Sequence, residues 1–158
     1  MITIQFTLNN HGVSLTTAPG RTLLEVLRED FGFTGAKNAC GGEGECGACT
    51  VLLDGEAVNS CLVLISQVEG RSVLTIEGLS PEGTPHPIQQ AFIQAGAVQC
   101  GFCTPGMVLA AKALLDTHPH PDEEQIRSAL SGNLCRCTGY TKIIAAVKLA
   151  AGEGENGK

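Results

Sequence analysis

The chain predicts an α+β fold: a strand-rich first half wrapped around one short helix, followed by a small four-helix bundle. Three observations point there. Apolar residues alternate with polar ones through Ile2, Ile4, Phe6 and Leu8 and again through Val13 and Leu15, the period of half-buried strands. After Gly78 the spacing becomes helical and no strand signal returns. Eight cysteines fall into two sets of four, Cys40, Cys46, Cys49 and Cys61, then Cys100, Cys103, Cys135 and Cys137. One set lies in each half.

The elements follow in order. Asn9-Asn10-His11-Gly12 reads as the turn of an opening hairpin, and Ala18-Pro19-Gly20 breaks the second strand. Thr22 followed by Glu25 makes a capping box, and Leu23, Leu24, Val26 and Leu27 supply the apolar face of a helix ending near Asp30 to Gly32. A glycine-dense loop, Gly35 to Gly47, carries the first cysteines. Thr50 to Leu53 reads as a strand, Asp54-Gly55 as a hairpin turn, Ala57 to Cys61 as the returning strand and Ser72 to Glu77 as one more. Residues 86–95 have helical spacing through Ile88, Ala91 and Phe92. Thr104-Pro105 reads as an N-cap followed by proline at the first helical position. Asp122, Glu123 and Glu124 suit a helix N-terminus, with that helix running to about Leu130, and Thr141 to Ala151 forms the last helix. Gly152 to Lys158 is expected to fray. Gly, Ser and Pro cluster between Gly78 and Pro85, which sets two domains, 1–78 and 79–158.

Composition narrows the function. The chain has 158 residues, 43% of them hydrophobic, enough for packed cores of roughly 75 residues each. Units of that size gain little margin from burial alone, and an internal metal site is a common remedy. Lys and Arg total 10 against 16 Asp and Glu, for a net charge of −6, and tryptophan is absent. Both features argue against a surface that tracks phosphates or stacks bases. The N-terminus has no basic start before an apolar stretch, and no run of apolar residues is long enough to span a bilayer. Cysteines in such a chain point to metal or redox work rather than disulfides, which places it in the cytoplasm.

The first set is ordered Cys-x5-Cys-x2-Cys-x11-Cys, three cysteines in one loop and a fourth beyond a hairpin. Four thiolates suit a tetrahedral metal ion or a 2Fe–2S cluster, in which each iron takes two sulfurs. A zinc knuckle on Cys46 and Cys49 is the competing reading, though zinc sites usually present two well-separated pairs. The glycines around these cysteines bring amide N–H groups toward sulfur and stabilise negative charge there. The second set, Cys100-x2-Cys103-x31-Cys135-x-Cys137, places one pair just before each of two predicted helices. Two helix N-termini then face one site, which suits an anionic cluster. Taken alone, two pairs also fit zinc.

Longer strings carry a resemblance. Lys37-x-x-Cys40 with Gly44-Glu45-Cys46-Gly47-Ala48-Cys49-Thr50-Val51, and Cys61 downstream, resembles the plant-type ferredoxin module of the molybdenum hydroxylases, a β-grasp domain. Ala97-Val-Gln-Cys-Gly-Phe-Cys-Thr-Pro-Gly-Met107 and Leu130-Ser-Gly-Asn-Leu-Cys-Arg-Cys-Thr-Gly-Tyr140 are similar to the two signatures of that family's second 2Fe–2S domain. The matches span about residues 2–150. One departure stands out: the family loop has four residues between its first two cysteines, and here there are five, Gly41 to Glu45.

The resemblance implies the small iron–sulfur subunit of an oxidoreductase, with two 2Fe–2S clusters ligated by the two cysteine sets. It implies a large subunit carrying molybdopterin, where substrate reacts, and an FAD-binding subunit. The helical cluster is expected near the molybdopterin, with Gln99 contacting the pterin, and the ferredoxin-like cluster toward FAD. Substrate oxidation releases electrons in pairs, a 2Fe–2S cluster passes one at a time, and a flavin collects both. A hetero-oligomer is expected, a dimer of heterotrimers being one form. A free ferredoxin-like carrier is the alternative function, and a DNA-reading regulator lacks the basic helix it would need. His118-Pro119-His120-Pro121 reads as a turn, Gly41 to Gly47 lacks the Lys and Ser or Thr of a phosphate loop, and Glu43 and Glu45 read as a solvated face. Arg136 could pair with a partner's phosphate or carboxylate, or offset cluster charge. No nucleophile–base pair is present, so no residue of this chain is expected to convert substrate.

Overall fold

The computed structural model describes residues 1–152, so the predicted tail beyond Gly152 lies outside the described residues. Strands β1 (Ile2–Leu8) and β2 (His11–Thr17) pair antiparallel from Ile2↔Thr17 to Leu8↔His11. The connecting turn is shorter than predicted. Asn9 and Asn10 alone make it, with φ of 50° and 67°. Two left-handed residues match the twist of the flanking strands, which frees His11 and Gly12 to join β2.

Helix α1 (Leu23–Glu29) opens with the predicted capping box. Glu25 N–H donates to Thr22 Oγ1 at 3.2 Å, and Glu25 Oε2 accepts from Thr22 N–H at 2.7 Å. The amides of Leu23 and Leu24 donate to Val63 O and Ser60 O at 2.7 and 3.1 Å. These are donors a helix start leaves orphaned, and here they tie down the segment around Cys61.

Strands β3 (Thr50–Leu53) and β4 (Glu56–Asn59) form the second hairpin, and β5 (Ser72–Leu74) slots between the two hairpins. The sheet order is β2-β1-β5-β3-β4, with β5 parallel to β1 and antiparallel to β3. Laid against α1, this is the expected β-grasp arrangement. Two predicted strands are cut short. β4 ends at Asn59, so Cys61 lies in the turn beyond it rather than on the strand. β5 ends at Leu74, one residue after its pairing with β1 stops at Leu8↔Val73. Asn9 Oδ1 accepts from Thr75 N–H at 2.9 Å instead, and a 3₁₀ turn, Ile76–Leu79, replaces the rest of the strand.

Helices α2 (Pro87–Gln94), α3 (Thr104–Thr117), α4 (Glu123–Leu130) and α5 (Thr141–Ala150) make up the second half. Asp122 caps α4, accepting from Gln125 N–H at 2.8 Å. At α3 the predicted cap is one residue late. Cys103 is the N-cap, because its carbonyl accepts from Met107 N–H at 3.0 Å, and Thr104 is already helical.

Two cores result. Phe6, Leu23, Val26, Leu27, Val51, Ile65 and Val68 fill the space between sheet and α1. Phe92, Met107, Leu109, Ile126, Ile143 and Val147 fill the bundle. Each such side chain contributes about 1.5–3 kcal/mol on burial. β3 serves both, since Val51 and Leu53 face the first core and Leu52 the second. α3 packs across β3. That is why Thr50 to Leu53 is buried throughout, without the alternation of an edge strand.

Candidate metal centres

The structure brings each cysteine set together, and it does so in pairs. The Cys40 thiol lies close enough to that of Cys46 to feel it, and the Cys61 thiol close enough to that of Cys49. In the second set Cys100 pairs with Cys137, Sγ to Sγ 3.6 Å, and Cys103 with Cys135. All eight cysteines are free of disulfides. Two pairs per site fit a cluster in which each of two irons takes two thiolates. They fit less well a lone zinc drawing all four inward.

Each set has an inner pair and an outer one. Cys49 and Cys61 are buried in the first core, at 2% and 7% exposure, while Cys40 and Cys46 are half-buried. Cys103 and Cys135 pack against the second core, while Cys100 and Cys137 are exposed.

Backbone amides surround the sulfurs. The N–H of Glu45, then that of Cys46, hold the Cys40 thiol down to about 6. Phe102 N–H, followed by the Cys137 thiol, lowers Cys100. Burial works against Cys135, but the Thr138 hydroxyl, 3.1 Å away, and the Thr138 amide outweigh it and hold the thiol below its ordinary value. Their partners move the other way. Burial first, then the Cys49 thiol, push Cys61 up to about 12. Burial, then Cys135, push Cys103 up to about 12, and Cys137 is raised chiefly by Cys100. Two adjacent thiolates repel, so a pair ionises fully only with a cation between its sulfurs. The amides around them are matched to net negative charge.

In the first loop Gly41 and Gly42 have φ of 76° and 92°, with open space where a β-carbon would sit. The amides of Glu45, Cys46 and Gly42 act on the Cys40 sulfur. Ser60 Oγ, fully buried, donates to Cys49 O at 2.7 Å, and Asn59 Nδ2 donates to Gly44 O at 2.8 Å. Both bonds anchor the segment bearing Cys61 to the cysteine loop.

In the second set, Cys103 immediately precedes α3, and Cys135 and Cys137 lead into α5, as the sequence predicts. Tyr140 holds the turn between them in a left-handed conformation, φ 68°, and its hydroxyl accepts from Cys135 N–H at 3.0 Å. A cavity of about 510 Å³ is lined by all four of these cysteines, by Phe102, Leu134 and Arg136, and by Ala39, Cys46 and Ala48 of the first loop. Gln99 is exposed beside Cys100, and its side chain makes no hydrogen bond among the described residues. Sequence reasoning missed Asn133, Thr138 and Tyr140 as parts of the site. Each reads as an ordinary loop residue, and only the fold shows where its side chain goes.

Fold and site together define a protein built to carry two 2Fe–2S centres, and the comparisons agree. A 2Fe–2S iron-sulfur cluster binding domain matches residues 6–75, and a [2Fe–2S] binding domain matches residues 75–148. The chain is 54% identical over 149 residues to the nicotinate dehydrogenase small FeS subunit of Eubacterium barkeri, covering 94% of each chain. Quinoline 2-oxidoreductase from Pseudomonas putida 86 superposes with a TM-score of 0.88 at 43% identity, with 98% of both chains covered. The aldehyde oxidoreductase from Desulfovibrio desulfuricans gives 0.92 at 44% identity, and there the match takes 97% of this chain but 18% of the other. The chain belongs to the two-cluster iron–sulfur subunits of the molybdenum hydroxylase family. It is an electron-transfer subunit of an oxidoreductase.

Proposed function

We propose that Cys40, Cys46, Cys49 and Cys61 ligate one 2Fe–2S cluster and that Cys100, Cys103, Cys135 and Cys137 ligate the other. The chain then relays single electrons between a molybdopterin site on a large partner subunit and FAD on a further subunit. The two units are residues 1–78 and 79–158, working in the cytoplasm, where thiols stay reduced. The observation that carries the reading is the gathering of each foursome in one place, Cys100 and Cys137 3.6 Å apart, within segments that match 2Fe–2S binding domains. When bound, a 2Fe–2S cluster accepts and returns one electron at a time.

The chain's own residues do the remaining work. The amides of Gly42, Glu45 and Cys46, and the Thr138 hydroxyl and amide, offset negative charge on the sulfurs. Ser60 and Tyr140 fix the loops that carry the ligands. Cys100 and Cys137 lie at the surface beside Phe102 and Leu134, 44% and 56% exposed, an apolar rim suited to a docked molybdopterin subunit. Gln99 on that rim is free to hydrogen-bond the pterin. Leu62, 60% exposed and next to Cys61, offers a second apolar contact on the FAD side.

Isolation of the native complex tests this. We expect molybdopterin and FAD subunits to co-purify with the chain in equal amounts, and substrate to bleach the cluster absorbance. A chain that purifies alone, and reduces soluble acceptors without partners, would instead be a free carrier.

A further inference from the structure

Beyond the cysteines, a buried polar side chain joins the two cysteine-bearing loops. Asn133 lies two residues before Cys135 and is 6% exposed. Its Nδ2 donates to Gly47 O and to Thr50 Oγ1, each at 3.0 Å. Gly47 sits between Cys46 and Cys49 in the other cysteine loop. Thr50 Oγ1 in turn donates to Gly47 O at 2.7 Å, so three buried groups close a ring of hydrogen bonds across the two halves. The next residue, Leu134, donates its N–H to Cys46 O at 2.9 Å. One hydrogen bond and one residue of backbone therefore connect Cys46 to Cys135.

The approach is as close as backbone allows. A β-carbon at Gly47 would collide with the Gly132 carbonyl oxygen and lie 2.7 Å from Asn133 Nδ2. One at Gly106, in the first turn of α3, would lie 2.5 Å from Gly47 O. Two glycines thus let the loops meet, and Asn133 is the side chain that joins them. Only a carboxamide of this length offers two N–H donors here; an aspartate would aim an oxygen at the Gly47 carbonyl.

We infer that Asn133 is a positioning residue, a latch fixing the separation of the two cysteine loops and so the electronic coupling between the centres they hold. The inference rests on the two-cluster reading above. Tunnelling falls steeply with distance, so a small slip between the loops matters more for coupling than for either ligand set. It also predicts that the latch acts on the pair of centres and leaves each one individually intact.

The test uses the natively purified complex, with Asn133→Ala, Asn133→Asp and Gly106→Ala beside wild type. The last keeps Asn133 but pushes Gly47 away. Readouts are iron and acid-labile sulfide, the separate electron paramagnetic resonance lines of the reduced clusters, the magnetic splitting between them, and hydrogen exchange of the Leu134 amide. We expect unchanged iron and line positions, a reduced splitting, faster Leu134 exchange, and electron equilibration between clusters slowed about tenfold. Should Asn133→Ala fail to fold, Asn133→Ser, with one small donor, is read for the same splitting. Wild-type splitting and Leu134 protection in the Asn133 variants would overturn the latch. A wild type without iron and sulfide would overturn the two-cluster reading itself, so the two failures are distinguishable.

Discussion

The first cysteine set is buried at Cys49 and Cys61 and half-buried at Cys40 and Cys46, whereas the second is half-buried at Cys103 and Cys135 and exposed at Cys100 and Cys137. The first set is gathered by a glycine loop and a turn that α1 clamps through Leu23 and Leu24. The second is gathered where two helices begin. One arrangement makes the site part of the fold. The other leaves it exposed to whatever docks there. The lesson is that a shared ligand chemistry can sit at very different depths, according to whether a sheet core or a pair of helix ends supplies the scaffold.

The largest expected contrast comes from the cysteines themselves. Cys49→Ser and Cys100→Ser should each lower iron from about four atoms per chain to about two, as loss of one 2Fe–2S cluster requires. Cys49→Ser should also destabilise the sheet half by about 1–3 kcal/mol, because a hydroxyl replaces a thiol in an apolar core. Cys100→Ser should cost the chain less, because it gives up a cluster without placing a hydroxyl in a core. Equal loss of stability in both variants would erase the distinction in depth.

A smaller effect separates the cores. Leu27→Ala and Ile126→Ala each remove a fully buried side chain, and each should cost about 2–5 kcal/mol. Leu27→Ala should speed loss of the first cluster on mild heating, and Ile126→Ala that of the second, as followed by their separate resonance lines. If either variant releases both clusters together, the halves unfold as one, and the core shared through Leu52 is stronger than its size suggests.

The smallest effect is a pH dependence confined to the helical half. His86 Nδ1 accepts from Ile88 N–H at 3.3 Å and caps α2. Burial, then nearby Lys112, hold the ring below its ordinary 6.5. The unfolded chain therefore takes up the proton first. Stability is full above 6.5 and is lost as pH falls through the lowered folded value. The thermal midpoint should drop between about pH 7 and about pH 5, and His86→Asn should flatten that drop.

Much of this was legible in the residues. Alternation fixed the first hairpin, Thr22 and Glu25 announced α1, Asp122 announced α4, and cysteine spacing announced two sites. The errors share a cause. β4 and β5 read long because apolar alternation says nothing about where a neighbouring strand stops. Asn9 and Asn10 made a tighter turn than four polar residues suggested. Thr50 to Leu53 gave no hint that its two faces serve different cores. Asn133 was invisible as a latch because a polar residue beside glycine looks solvated until the other loop arrives.

The most direct test of the account is a spin count on the purified protein after dithionite reduction. Two distinct one-electron signals per chain, with two labile sulfides for each, are the predicted result. Zinc in place of iron, no labile sulfide and no resonance would contradict it.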